Sequence, residues 1–172
     1  VPMACMESHH VSIVVYEKKK KKTLYLNTGK PADQYLTSVT WGPDGKFIYV
    51  AVLNRDQDHL KLNKYSAQDG SLVQTLFEEK DERYVEPQMP LIFLPDHPDQ
   101  FIWMSRRDGF NHMYLYNTKG QLIRQLTKGA WEVNNDFIEF GSKGKYVYFS
   151  AHHPNPTERH SFKVHLKNNK IS

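Results

Sequence analysis

One pattern is written three times along this chain of 172 residues. Ile48-Tyr49-Val50-Ala51, Ile102-Trp103-Met104-Ser105 and Val147-Tyr148-Phe149-Ser150 each follow a loop rich in Gly, Asp, Gln or Lys. After each comes a polar loop and then a strand opened by histidine: His59-Leu60-Lys61-Leu62, His112-Met113-Tyr114-Leu115 and His160-Ser161-Phe162-Lys163. Gly70-Ser71-Leu72-Val73 answers to Gly120-Gln121-Leu122-Ile123 as a hairpin turn feeding a fourth strand. The copies recur at roughly 45 to 54 residues, the period of four-stranded propeller blades. A blade buries its two faces only against neighbouring blades, which accounts for apolar residues on both sides of each second strand.

Period-2 alternation holds elsewhere too, and helical period is hard to find. Val11, Ile13 and Val15 lead into the lysine run Lys18–Lys22, and Thr23 to Asn27 return as a hairpin. Strands are predicted over Leu36–Trp41, Lys46–Leu53, His59–Tyr65 and Ser71–Phe77, separated by the turn signals Pro43-Asp44-Gly45, Asn54–Asp58 and Gln68-Asp69-Gly70. The reading is an all-β partial propeller of four-stranded antiparallel blades. Its parts are a hairpin and connector over 1–34, a first blade over 35–83, a second over 84–128 and a third over 129–172. Lys170-Ile171-Ser172 aligns with Leu122-Ile123-Arg124, so the third blade is expected to be cut inside its fourth strand. A ring needs at least about four blades, so the natural protein is expected to continue in both directions.

Several function classes fall away. A hydrophobic content of 39% and an aromatic content of 13% suffice for one compact core, while no apolar run approaches membrane-spanning length. The formal charge of +4 comes from the lysine run: without those five residues, 18 basic side chains face 19 acidic ones. A single basic turn with no stripe of interleaved arginines and aromatics gives no case for nucleic acid. No basic stretch followed by an apolar one marks a signal peptide. Cys5, the one cysteine, has neither a disulfide partner nor a recognisable base. Gly141-Ser142-Lys143-Gly144 reads as a hairpin turn, not a nucleophile elbow. The adjacent pairs His9-His10 and His152-His153 point to opposite strand faces and chelate poorly, and His59, His112 and His160 read as ties for the incoming loop. No metal and no cofactor is expected. Arg106-Arg107-Asp108-Gly109 and Asn54-Arg55-Asp56-Gln57 occupy the same blade loop and read as turns with locally paired arginines, the alternative being contact with a partner or ligand. Trp41, Trp103 and Trp131 read as space-fillers between blades.

The runs Trp41-Gly42-Pro43-Asp44-Gly45, Leu53-Asn54-Arg55-Asp56-Gln57 and Tyr84-Val85-Glu86 lie in a familiar order. They continue into Ser105-Arg106-Arg107-Asp108-Gly109-Phe110-Asn111-His112-Met113-Tyr114 and Leu126-Thr127-Lys128-Gly129-Ala130-Trp131-Glu132-Val133. Together they resemble the N-terminal propeller of the dipeptidyl peptidase IV family, in the wording of its bacterial branch, over almost the whole chain. The resemblance implies a serine exopeptidase of the prolyl oligopeptidase clan that releases N-terminal dipeptides with proline or alanine second. It implies an eight-bladed propeller joined to an α/β-hydrolase domain that carries the Ser-Asp-His triad, and a periplasmic or cell-envelope location in a bacterium.

None of the triad matches this chain. The family's paired glutamates for the substrate amine belong to a short helix N-terminal to the matched region, whereas Glu78-Glu79 ends a strand. The chain is therefore expected to be inactive alone and to serve in gating and orienting peptide substrate. The candidate substrate-binding residues are Tyr84, Glu86 and Gln88, in the loop that leads into the first strand of the second blade, Leu91–Leu94. Residues just before an innermost strand sit near a rim of the central channel. A carboxylate there favours an arriving cationic peptide N-terminus, although Glu86 before Pro87 could instead serve only a turn. The other class of function is a free-standing propeller-like interaction module, for which Phe110, Tyr114 and Tyr116 would furnish the binding face. Exposed blade faces and strand edges also predict self-association.

Overall fold

The computed structural model describes residues 9–141 and 144–172, so Cys5 and the Ser142-Lys143 turn lie outside the described residues. Among the described residues there are thirteen strands and no helix. They fall into two compact units, 1–85 and 86–172.

In the first unit, β1 (Val14–Glu17) and β2 (Lys22–Tyr25) form the hairpin, with Val14 opposite Tyr25 and Glu17 opposite Lys22. The lysine run makes its turn, as its solvation demands, and Lys20 pairs with Glu17 at 3.0 Å. The meander that follows is β3 (Tyr35–Trp41), β4 (Phe47–Leu53), β5 (His59–Ser66) and β6 (Leu72–Lys80), hydrogen-bonded in that order and all antiparallel. The alternation places Ile48, Val50 and Val52 on one face of β4, where they join Leu26 and Tyr65 in a core covered by Ile13, Val15, Leu36 and Ala67. Tyr49, Ala51 and Leu53 on the other face are buried as well, as a strand inside a blade requires.

The second unit holds β7 (Ile92–Leu94), β8 (His97–Ser105), β9 (His112–Asn117) and β10 (Leu122–Gln125) in one four-stranded antiparallel sheet. A second sheet contains β11 (Val133–Phe140), β12 (Tyr146–Ala151) and β13 (His160–His165). The two share one core: Ile102, Met104, Met113 and Leu115 from the first meet Val147, Phe149, Ala151 and Val164 from the second. Beyond β13, Ile171 bridges Val164, and Ser172 exchanges both backbone hydrogen bonds with Lys163 at 2.9 and 3.0 Å. The last residues thus lie against β13 through an isolated antiparallel bridge.

The repeated antiparallel meanders are blades of a partial β-propeller, with no closed sheet among the described residues. One tryptophan departs from the expectation. Trp103 is buried and Trp131 is half-buried, but Trp41 is 52% exposed, because it ends β3, the edge strand of its meander.

Candidate functional site

The two segments most characteristic of the sequence fold against each other within the second unit. Arg106 reaches Glu132 with both terminal nitrogens, at 2.5 and 3.2 Å. Asn111 is buried; its carbonyl accepts the Val133 N–H at 2.9 Å and its side-chain amide donates to the Val133 carbonyl at 2.7 Å. His112, fully buried, lies within hydrogen-bond distance of the Thr127 hydroxyl (3.1 Å) and the Gly129 carbonyl (3.0 Å). Its ring meets Trp131 edge-on, with centroids 5.1 Å apart. Gly129 carries φ +135°, and a Cβ there would stand 2.5 Å from Trp131 Nε1. Every distinctive residue of Thr127-Lys128-Gly129-Ala130-Trp131-Glu132 except Lys128 and Ala130 thus has a partner across the sheet or beside it, and its hydroxyl–imidazole contact, Thr127 to His112, is buried.

The three repeat-equivalent histidines open β5, β9 and β13, as expected, but only His160 ties the incoming loop, through Glu158 at 3.2 Å. His59 instead reaches across the sheet to Glu78 on β6 at 2.7 Å. That hydrogen bond, joined by Lys61 and Lys80, holds the Glu78 carboxyl below its usual range. His112 ties the segment that follows β10. No group of three or more His, Cys, Asp or Glu side chains converges on a metal-sized space among the described residues.

The arginine loop is less local than expected, since Arg106 pairs 26 residues away. Arg107 fits the expectation better: its guanidinium donates to the Ser105 hydroxyl at 3.1 Å and the Tyr116 hydroxyl at 2.6 Å, and lies 4.4 Å from the Tyr114 ring centroid. Tyr114 and Tyr116 are each only 3% exposed. They sit on β9, an inner strand whose residues are buried on both faces. The binding face proposed for Phe110, Tyr114 and Tyr116 is therefore not available: Phe110 alone reaches the surface.

Of the three candidate substrate residues, Tyr84 belongs to the first unit and Glu86 and Gln88 to the second. The Tyr84 ring is 57% exposed, and its neighbour Val85 is anchored by a backbone hydrogen bond to the Gln57 carbonyl at 2.6 Å. Glu86 is exposed and Gln88 half-buried. The Gln88 amide donates to the Glu86 carbonyl and to its carboxylate Oε2, both at 3.1 Å. The Gln88 oxygen accepts from Asn135 on β11 at 2.8 Å, and the Asn135 oxygen accepts from buried Asn111 at 2.8 Å. No cation pairs with Glu86 among the described residues. Asn135 carries no signal in the sequence: it lies 47 residues from the residue it contacts.

These features define a partial β-propeller whose candidate site is a polar loop ahead of β7. The family profile described as "Dipeptidyl peptidase IV (DPP IV) N-terminal region" matches residues 2–172, and the chain belongs to this family. It is similar to a protein of Coccidioides posadasii named probable dipeptidyl-aminopeptidase B, at 33% identity over 144 residues, covering 78% of this chain and 16% of that protein. The dipeptidyl-aminopeptidase B of Aspergillus niger is 28% identical over 178 residues, covering 96% of this chain and 20% of that protein. The chain thus spans a fifth or less of the length of these curated relatives. Among solved structures, a Bacteroides ovatus protein assigned as a dipeptidyl aminopeptidase IV superposes with a TM-score of 0.89 at 40% identity, covering 99% of this chain and 26% of that one. Porphyromonas gingivalis dipeptidyl peptidase 4 shares the fold, with a TM-score of 0.80 at 23% identity over 94% of this chain and 22% of its own.

Proposed function

We propose that this chain is the non-catalytic propeller portion of a dipeptidyl peptidase IV-like serine exopeptidase that releases N-terminal X-Pro and X-Ala dipeptides. Its role is to gate access and orient the peptide, and an α/β-hydrolase domain of the same polypeptide supplies the chemistry. The match of residues 2–172 to the family's N-terminal region carries this reading. Loss of the Phe110, Tyr114 and Tyr116 face removes the feature that favoured a free-standing interaction module. A periplasmic or cell-envelope location belongs to the same proposal; no helix among the described residues is long and apolar enough to cross a membrane.

Within this reading, Tyr84, Glu86 and Gln88 border the path of the substrate. The Glu86 carboxylate supplies negative potential to a cationic peptide N-terminus, and Gln88 holds that carboxylate by its amide. In the full-length protein, Glu86→Gln is expected to raise KM for a Gly-Pro chromogenic amide about threefold, a size set by solvent screening of an exposed charge. The turnover number and the melting temperature stay unchanged. An unchanged KM removes Glu86 from the site.

Self-association of the isolated chain follows from its exposed apolar side chains. Val39 and Trp41 on β3 and Leu72 and Val73 on β6 are all between 45% and 52% exposed, and both strands are sheet edges. Light scattering is expected to give a mass above 20.2 kDa that rises with concentration. A constant monomer mass at high concentration would count against open blade edges.

A further inference from the structure

We propose that Asn135, fixed by buried Asn111, is a positioning residue that sets the Glu86 carboxylate through Gln88. This inference rests on the reading of Glu86 given above and extends it to two residues outside the loop. Four side chains form an unbroken line: Glu86 Oε2 to Gln88 Nε2 at 3.1 Å, Gln88 Oε1 to Asn135 Nδ2 at 2.8 Å, and Asn135 Oδ1 to Asn111 Nδ2 at 2.8 Å. The line ends on the Val133 carbonyl, which accepts from Asn111 Nδ2 at 2.7 Å.

The direction of this line is dictated at both ends. An ionised carboxylate only accepts, and so does a backbone carbonyl. Gln88 must therefore turn its NH2 to Glu86, which leaves its oxygen for Asn135. Asn135 must answer with its own NH2, which leaves its oxygen for Asn111. Asn111 must aim both of its N–H bonds, one at Asn135 and one at Val133. Turning any one amide over sets oxygen against oxygen. The cost of this arrangement is visible at its inner end, where the Asn111 Oδ1 is buried without a hydrogen-bond partner. A buried polar atom left unpaired is unfavourable, so Asn111 gives up its acceptor to keep both donors aligned. Asn111 is 1% exposed and stands immediately before β9, while Asn135 lies on β11. The exposed carboxylate is thereby referenced to the sheet framework and not left to the freedom of its loop.

Asn135→Asp separates this device from plain electrostatics. The new carboxylate is nearly isosteric and still accepts from Asn111, but it cannot donate to Gln88. Oxygen then faces oxygen between residue 135 and Gln88, so Gln88 loses its anchor on β11 and can no longer fix the Glu86 carboxylate. A second negative charge acting by attraction alone would lower KM for a cationic N-terminus; the relay raises it. In the full-length protein, with a Gly-Pro chromogenic amide, Asn135→Asp is expected to raise KM about threefold at unchanged turnover number, matching Glu86→Gln. The double variant is expected to be no worse than either single one, because both act on the same contact. A lowered or unchanged KM in Asn135→Asp, with KM raised in Glu86→Gln, overturns the relay and leaves the reading of Glu86 standing. A second arm does not depend on activity: in a crystal structure of Asn135→Leu, the Glu86 carboxylate is expected to have left Gln88. If carboxylate and amide stay in place, the relay is overturned whatever the kinetics. If Glu86→Gln leaves KM unchanged while the carboxylate moves in Asn135→Leu, the relay stands as geometry and it is the substrate role of Glu86 that fails.

Discussion

Gly70→Ala is expected to destabilise the chain by about 3 kcal/mol or more, while Gly45→Ala costs about 1 kcal/mol. Both glycines close hairpin turns, and both have positive φ, +76° at Gly70 and +66° at Gly45. The conformational penalty for a side chain is therefore similar at the two sites. The difference lies in what a Cβ would meet. At Gly45 nothing lies within 4 Å, whereas at Gly70 the Tyr25 carbonyl oxygen would stand 2.2 Å away. That oxygen is backbone, so relief requires the end of β2 to move. The same turn is pinned by the Asn27 N–H donating to the Gly70 carbonyl at 2.8 Å, and by Asp69, which accepts from the Ser71 N–H at 3.0 Å and the Ser71 hydroxyl at 2.7 Å. Movement of β2 would also disturb Leu26, which belongs to the core of the first meander. Urea unfolding of the two variants beside the parent chain measures the difference. Equal losses at the two glycines would show that the hairpin does not press on the turn.

The close approach at Gly70 illustrates which part of this fold is legible in sequence. Turn chemistry is local: Asp69-Gly70-Ser71 announces a hairpin through residues that supply positive φ and side-chain acceptors. Strand period is local too, and for that reason the meanders over 35–80 and 92–125 follow from alternation and turn spacing alone. Pairings that close over long loops leave no such trace. The distance from Arg106 to Glu132, or from Gln88 to Asn135, is set by how two sheets share the Ile102, Met113, Val147 and Phe149 core, not by spacing along the chain. Burial of Tyr114 and Tyr116 was hidden for a related reason. Alternation identifies which residues share a face, but an inner strand buries both faces, and β9 is an inner strand only once β10 and β8 are laid on either side. The repeat found three equivalent histidines, yet equivalence in the pattern does not make their surroundings equal.

That inequality sets the second large effect. His112→Leu is expected to cost about 3 kcal/mol, against less than about 1 kcal/mol for His59→Leu and about 0.5 kcal/mol or less for His160→Leu. The His59 and His160 side chains are 26% and 47% exposed, and each pairs with an exposed glutamate that water can serve in its absence. His112 is fully buried. Since the Gly129 carbonyl can only accept, the ring carries its proton on Nε2, and Nδ1 accepts from the Thr127 hydroxyl. The same hydroxyl oxygen accepts the Met113 N–H at 3.1 Å, so Thr127 is used as donor and acceptor at once. Leucine fills most of the volume but supplies neither contact, which leaves the Gly129 carbonyl and the Thr127 O–H without partners. The edge of the imidazole against Trp131 is lost with them, and Trp131 in turn stacks on Phe149 in the second sheet and on His153. The loss therefore reaches the packing between the two sheets of the second unit, and its size separates it from the other two substitutions in a single set of denaturant titrations. Comparable losses at all three histidines would mean that position in the repeat, not burial, determines their worth.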